Sequence, residues 1–551
     1  MNNDNWFVAD FETKSEKFYL ENGYTEIWLY AICDSNANIV NYGSNMDEFI
    51  YYVKRKLYGK IVYFHNLKFD GSFIIDYLFS RGYEYYDDLT KVNKGFKLLA
   101  SDTGEFYSLD VKFSKGKQVH FHDSLKLLPF KVRKIAEDFE LPILKGKINY
   151  EDYTISDKAL NYVYNDVRIV AMALSQIKSE GMTKMTTASC AYNMYSSLRD
   201  KTFWSVAFPE LPTELLKVWR NAYRGGRSQV NRMHKDKILR GVRRYDINSM
   251  YPYIMHDFPL PYGQPIKYNG RDKYDFEIYR VRIGFVLKPN CLPSLLKKHL
   301  SLTEDSYYEE TEDIEEMWIS NIDLQLVERN YDVYHLEILD TYGFRTSKIL
   351  FRDYIDYWYG KKLNDKGVKR IVDKFMLNCL YGKFGTNIEK AHKIPYYQDG
   401  IVGYSNSDYA EGKKYYLPVA IAITSYAHLL IDNAIHMTGI DNFVYCDTDS
   451  VHTLGTLPDN MVDAKLLGKF KEEAYETKSK YIRQKCYITL ENGEYKITCA
   501  GLPDELKEDL INTFGDNVMY VFGEGLTVNG KLMPKRVPGG TIFHETTFKI
   551  N

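Results

Sequence analysis

The stretch "FVYCDTDSVH", residues 443–452, sets Asp447 and Asp449 two positions apart among apolar residues of the kind that strands bury. Two carboxylates about 4 Å apart repel by about 1 kcal/mol in water, but by about 4 kcal/mol at an effective dielectric of about 20. On an exposed turn the pair would be unremarkable. Flanked by the strand patterns "FVY" and "VHTL" the larger figure applies, so a fold that buries this segment must supply a proton or a cation there. Asp246 in "RRYDINSMYP", a third carboxylate at an apolar strand end, favours a cation. An all-oxygen ligand set suits magnesium or manganese better than zinc.

A second acidic pattern opens the chain. In "VADFET", Asp10 and Glu12 stand at i and i+2 of a strand, so both carboxylates leave one face of the sheet and could share a cation. Asp70 in "YFHNLKFDGSFI" and Asp166 in "YVYNDVRI" are candidates to complete that cluster, with Tyr162 one helical turn before Asp166. Each piece alone is commonplace, since Asp-x-Glu also occurs at strand edges and turns.

At 551 residues the chain is long enough for several domains and more than one core. Alternating strand and helix patterns run from "WFVADFET" to about residue 187, one α/β unit. A second unit begins near "YRGGR" (223–227), reaches a strand at 243–252 and resumes at the strand-turn-strand of 442–454. Long insertions separate those strands. One begins at "FPLPYGQP" (258–265), another, 394–418, is hairpin-rich, and 361–384 between them is helical in pattern. Arg370, Lys374, Asn378 and Tyr381 share a face of that helix, which is either a solvated basic face or a cradle for a triphosphate.

The seven cysteines are odd in number and form no C-x-x-C pair, which indicates neither a disulfide framework nor a zinc site. No apolar run is expected to cross a bilayer, and "MNNDNWFVAD" lacks the pattern of a secretory signal, so a soluble cytoplasmic protein without a membrane partner is expected. The formal net charge of -2 neither supports nor excludes a nucleic-acid partner, because the local field of a groove decides binding. Basic residues concentrate at 359–375 and 478–485, and 304–316 is acidic. The 49 Tyr, several interleaved with Lys, would suit stacking on bases beside phosphates.

In combination these motifs are specific. Asp-x-Glu, Asn-x-x-x-Asp and Tyr-x-x-x-Asp, in that order, resemble the 3′-5′ proofreading exonuclease of family B DNA polymerases, and "YDINSMYP", "KFMLNCLYGKFG" and "YCDTDS" resemble that family's three polymerase motifs. The resemblance implies α/β and α+β domains: an RNase H-like exonuclease domain followed by a right-hand polymerase of palm, fingers and thumb with two terminal-protein-region insertions. Its boundaries would be 1–187 exonuclease, 188–257 palm, 258–349 first insertion, 350–386 fingers, 387–417 second insertion, 418–512 palm and 513–551 a small thumb.

It further implies two magnesium ions (manganese being the alternative) per centre, held by Asp10, Glu12, Asp70 and Asp166 at one and by Asp246, Ile247 and Asp449 at the other, with Asp447 in support. Tyr162 would orient the attacking water and Lys145 support hydrolysis; Thr13, His65, Asn66, Phe69, Ser124, Leu125 and Tyr150 would hold a single-stranded primer end. Lys362 and Lys374 would meet the phosphates of the incoming dNTP, and Asn378, Tyr381 and Tyr251 would form its pocket, Tyr251 lying under the sugar so that a ribose 2′-hydroxyl collides with its ring. Tyr223, Arg224, Gly225 and Gly226 ("YRGG"), Lys383, Tyr445, and Lys485 and Tyr487 ("KCY") match DNA-contacting positions. His122 stands where relatives usually carry tyrosine or another residue, Cys379 where they often have serine, and Gly385 where others have alanine or serine.

The subgroup it resembles is the protein-primed polymerase of small tailed bacteriophages. That implies a monomer acting in the infected bacterial cytoplasm on a DNA template and primer strand, with a terminal protein as primer and phage single-strand and double-strand DNA-binding proteins as further partners. A repair or replication polymerase that uses no protein primer, and a DNA-binding factor with degenerate catalytic domains, are the competing readings.

Overall fold

The computed structural model describes residues 6–297 and 306–551, so the first two residues of the acidic 304–316 segment lie outside the described residues. The first unit is a seven-stranded sheet in the order Ile39–Gly43, Ile27–Asp34, Trp6–Thr13, Ile61–Phe64, Lys117–Asp123, Phe106–Ser114, Gly95–Ala100. Ile61–Phe64 runs parallel to both its neighbours. Seven of the eight residues of Ile27–Asp34 are buried, as expected for a strand covered on both faces. One cover is the helix Asp157–Ser179, started by the Ser156 hydroxyl, which accepts the Ala159 N–H. Its stripe Ala159, Val163, Val167, Val170, Leu174 and Ile177 faces the sheet at helical spacing. The other face buries Phe49, Phe64, Phe96 and Phe121, each worth about 1.5–3 kcal/mol of transfer free energy.

The second unit is built on an eight-stranded sheet in the order Glu494–Cys499, Cys486–Glu491, Phe470–Arg483, Val242–Ile247, Ser450–Thr453, Phe443–Asp447, Ser228–Val230, with Ile238–Leu239 pairing beside Phe470–Arg483. The strand expected over 243–252 stops at Ile247. Ser249 takes a left-handed φ of 52° and the helix Met250–Asp257 follows. Against the expectation of no bilayer-length apolar run, the helix Leu417–Thr438 is long and apolar enough to cross a membrane, but 83% of its apolar window is buried inside the protein. It is the core helix of this unit. It also buries Asp432, whose charge is met by the buried Arg227 at 2.8 Å.

The first insertion forms the four-stranded sheet Leu260–Tyr268, Tyr331–Ser347, Phe276–Leu287, Glu315–Ser320 and carries the helix Asn321–Asn330. The expected helix over 361–384 is two helices, Arg352–Asn364 and Gly367–Phe384, because Gly367 adopts φ 54° between them. In the second insertion the hairpin Lys393–Gln398/Ile401–Asn406 turns at Asp399 and Gly400, both at positive φ. Its Val402 is buried with the aromatic residues of the first unit, and Tyr397 stacks on Phe79 at 5.4 Å.

The C-terminal segment does not form a core separate from the second sheet. Val528 and Ile550 share one with Ile482 and Ile488 of the second sheet. From there the hairpin Thr527–Val537/Gly540–Lys549 reaches back to the first unit, where Thr25 N–H donates to the Pro538 carbonyl (2.9 Å) and Gly539 N–H to the Asp76 carboxylate (3.2 Å). A Cβ on Gly539 would stand 1.9 Å from the Thr25 carbonyl oxygen, at a φ of 90°. Gly539→Val should therefore undock this hairpin, raising amide exchange across residues 527–549 by about tenfold or more while the sheet of the first unit keeps its protection. Unchanged exchange in the hairpin would refute the docking.

Candidate active sites

The first carboxylate centre lies where the strand Trp6–Thr13 meets the helices Leu67–Ser80 and Asp157–Ser179. Ligand oxygens of Asp10, Glu12 and Asp166 all lie within 4.8 Å of one another, which no other acidic or His/Cys trio among the described residues achieves. Asp70 is buried beside them, and its carboxyl is held well above the usual range by burial and by repulsion from Asp10. Burial and repulsion from Asp166 push Asp10 up to about 7. Glu12 is raised by burial and by repulsion from Asp10 and Asp166. Asp166 is raised by burial although Lys145 pairs with it, and its Oδ1 is buried without a hydrogen-bond partner. Burial depresses Lys145, but Asp166 and Asp10 hold it above its ordinary value. Three converging carboxyls, with Asp70 buried beside them and the Asp166 Oδ1 left without a hydrogen-bond partner, fit a divalent cation.

The cavity at this centre, about 230 Å³, is lined by Thr13, His65, Phe69, Lys145, Tyr150 and Tyr162 together with Asp10, Glu12 and Asp166; Asp70 does not line it. Tyr162 and Tyr150 hydroxyls are 3.3 Å apart, and burial and that bond raise Tyr162, so it remains a neutral donor. His65 is pushed down to about 4 by burial, with its ring between the Phe130 carbonyl (2.7 Å) and the Ser124 hydroxyl (3.0 Å). Phe543 also enters this cavity. It comes from the C-terminal hairpin, and its ring stacks on Phe69 at 4.7 Å and 8°. Nothing local in "TIFHETT" distinguishes Phe543 from any strand aromatic. The same stack lines an adjoining cavity of about 450 Å³ where Asn66 lies with Lys68, Lys393 and Arg536.

The second centre forms where Val242–Ile247 and Phe443–Asp447 flank Ser450–Thr453. Asp246 and Asp447 are both in register with Ser450, and the Ile247 N–H donates to the Asp449 carbonyl at 2.8 Å. Burial and repulsion from Asp449 push Asp246 up to about 7; burial pushes Asp449 up to about 6. Asp447 is met by Lys485 at 3.4 Å, so the chain itself offsets one of the three charges and leaves Asp246 and Asp449 as the pair that calls for a cation. Thr448, at φ 63°, makes the turn, and its N–H donates to the Arg227 carbonyl (2.7 Å).

Beside this pair, Lys362 donates to the Ser249 hydroxyl (2.8 Å), and its ammonium is depressed by burial and by Lys374 and Arg370. Asp246 offsets part of this repulsion, and the three cations together form a site for an anion. Lys374 and Asn378 are exposed on the same helix as Arg370, and Tyr381 stacks on Tyr251 at 4.0 Å. Gly385 leaves room for Tyr223: a Cβ there would meet the Tyr223 hydroxyl at 2.5 Å. Lys383 donates to Ser189 (3.1 Å), and burial and the neighbouring Lys390 and Lys413 depress it. Lys485 is exposed and Tyr487 stacks on Tyr481 at 5.0 Å.

Three of the residues expected to contact DNA are buried and have internal partners. Arg224 is buried and donates to the Leu296 carbonyl (2.9 Å); Tyr445 is buried and its hydroxyl accepts the Lys485 N–H (3.1 Å); Ser124 is buried and donates to the Phe64 carbonyl (3.0 Å). Each has an internal partner, which position along the chain does not disclose. Leu125 is half-buried next to Ser124 and His122 packs edge-on against Tyr63; neither lines the first cavity.

A fold with an exonuclease-type sheet, a second carboxylate-bearing sheet and this order of sites defines a class, the family B DNA polymerases. The family profile "DNA polymerase type B, organellar and viral" matches residues 52–154 and 150–465, and the chain belongs to that family: it is a DNA-directed DNA polymerase with exonuclease and polymerase domains. The DNA polymerase of Bacillus phage M2 is 33% identical over 99% of both chains, that of Bacillus phage phi29 is 32% identical over 99% of this chain and 98% of its own, and that of Streptococcus phage Cp-1 is 32% identical over the same shares. The structure of phi29 DNA polymerase complexed with single-stranded DNA has a TM-score of 0.90 and 31% identity, covering 99% of this chain and all of that one. That of its ternary complex with primer-template DNA and incoming nucleotide substrates has a TM-score of 0.89 at the same identity and coverage.

Carboxyls that titrate near 6 or 7 when folded and near 4 when unfolded bind more protons in the folded, metal-free state, so stability falls as pH rises from about 4 to about 7. Divalent ions replace those protons. Magnesium should therefore raise Tm above its value in a chelator by about 2 °C more at about pH 8 than at about pH 5. Equal increments would contradict carboxylate ligation.

Proposed function

We propose that this enzyme replicates a linear phage genome by protein-primed initiation in the cytoplasm of an infected bacterium, adding a first dNMP to a hydroxyl of a terminal protein, then elongating with strand displacement and proofreading. The observation that carries this reading is the pairing, in one chain similar end to end to phage DNA polymerases, of two separate carboxylate centres, one buried and one half-buried. The proposed division is an exonuclease domain at 1–187, palm at 188–257 and 418–512, insertions at 258–349 and 387–417 that engage the terminal protein and the DNA, fingers at 350–386 and a thumb at 513–551.

Asp246, Asp449 and the Ile247 carbonyl would hold two magnesium or manganese ions at the polymerase centre, and Asp10, Glu12, Asp70 and Asp166 two at the exonuclease. Such ions supply Lewis acidity for attack on phosphorus and for the leaving oxygen. Lys362 and Lys374 bind the triphosphate, with Arg370 adding to the field. The Tyr251–Tyr381 stack forms a floor under the sugar and favours deoxynucleotides. Lys485 holds Asp447 and, with Tyr487, faces the primer end. At the exonuclease, Phe69 and Phe543 grip a frayed base, Tyr162 orients water by its hydroxyl and Lys145 neutralises developing charge. Template, primer strand and phage DNA-binding proteins are the partners, and the enzyme works as a monomer.

Asp449→Asn should lower primer extension by about a hundredfold or more and spare degradation of single strands; Asp10→Ala with Asp70→Ala should do the reverse. Loss of both activities in either folded variant would contradict two independent centres. Incubation with labelled dATP and a candidate terminal protein should give nucleotide covalently bound to that protein, whereas extension restricted to nucleic-acid primers would favour a repair-type polymerase.

A further inference from the structure

The segment Tyr223–Ser228 leads into the strand Ser228–Val230 of the second sheet and touches the aspartate turn: a Cβ on Gly226 would stand 2.7 Å from the Thr448 hydroxyl, and the Arg227 carbonyl accepts the Thr448 N–H. The first insertion grips this segment residue by residue. Arg224 donates to the carbonyls of Leu296 (2.9 Å) and Trp318 (3.4 Å), Arg227 to that of Pro293 (3.1 Å), and the Tyr307 hydroxyl both accepts the Ser228 N–H (2.9 Å) and donates to its carbonyl (3.0 Å). At Gly225, which has no side chain to grip, the contact runs through His428 of the core helix. The Nε2 of His428 lies 2.6 Å from the Gly225 carbonyl and its Nδ1 lies 2.8 Å from the carboxylate of Asp323, on the insertion's helix Asn321–Asn330. Asp323 is itself fixed by the hydroxyls of Ser425 (2.8 Å) and Ser320 (3.2 Å).

We propose that His428 is a positioning residue for polymerisation, holding the Gly225 carbonyl so that the first insertion sets the place of the Tyr223–Ser228 segment against the aspartate turn. Its two ring nitrogens face a backbone carbonyl and a carboxylate, so the ring bridges the segment to the insertion's helix. Ring and carboxylate are almost fully buried, at 3% and 2% exposure, so water cannot substitute for either bond. The insertion thereby acts on the polymerase centre and not on the exonuclease, whose cavity none of these residues lines. This inference rests on the polymerase reading above.

Glutamine places its amide nitrogen near the position of Nε2, whereas asparagine places its own near Nδ1. His428→Gln keeps the bond to Gly225 and loses that to Asp323; His428→Asn does the opposite. With primed DNA and dNTPs, His428→Asn should raise the KM for primer-template by about tenfold or more, and His428→Gln by about threefold or less, while kcat on single-stranded DNA at the exonuclease stays at the wild-type value in both. Should the asparagine variant not fold, Asp323→Ala removes the acceptor that faces Nδ1, leaves the ring without its anchor and should raise the same KM with the exonuclease unchanged. Equal effects of Gln and Asn, or a parallel fall of the exonuclease, would assign His428 to packing alone and overturn the proposal. A wild-type enzyme that degrades single strands but extends no primer would sink the polymerase reading, and this inference with it.

Discussion

Repulsion between carboxylates confined away from water is the constraint around which this protein is arranged. A surface aspartate pair would leave the surrounding chain free to vary. Here Asp246 and Asp449, and separately Asp10, Glu12, Asp70 and Asp166, are brought together at the meeting of strands and helices whose other residues are apolar. The cores that bury them also raise the free energy of their charged forms, and each centre is left with a standing demand for cations.

The chain answers part of that demand itself. Lys145 pairs with Asp166 and Lys485 with Asp447, one lysine per centre. Each lowers the negative charge enough for the carboxyls to coexist without removing the pull on divalent ions. At the polymerase centre the opposite excess appears a few residues away, where Lys362, Lys374 and Arg370 press on one another. Neighbouring regions of unmet negative and positive charge suit a cation-bound triphosphate, whose metal and phosphates satisfy both.

The two centres are not isolated modules. The C-terminal hairpin shares a core with the second sheet, yet its tip docks on the first unit and delivers Phe543 to the exonuclease cavity. The second insertion reaches the same unit through Val402 and Tyr397. Elements late in the chain thus close over the earliest one.

Much of this was legible in the residues alone. Motif order and spacing located both carboxylate sets, the shared face of Arg370, Lys374 and Asn378, and the hairpins of the second insertion, because charge, strand alternation and helical periodicity are local properties. The break at Gly367 and the end of the strand at Ile247 were not visible, since each depends on one residue taking a left-handed φ that its neighbours did not demand. Only the tertiary structure decided that Arg224, Tyr445 and Ser124 turn inward, that Lys485 faces Asp447 and that Phe543 meets Phe69. Those outcomes join residues tens to hundreds of positions apart. What a side chain touches across such distances is set by how sheets and insertions pack, and no local pattern encodes it.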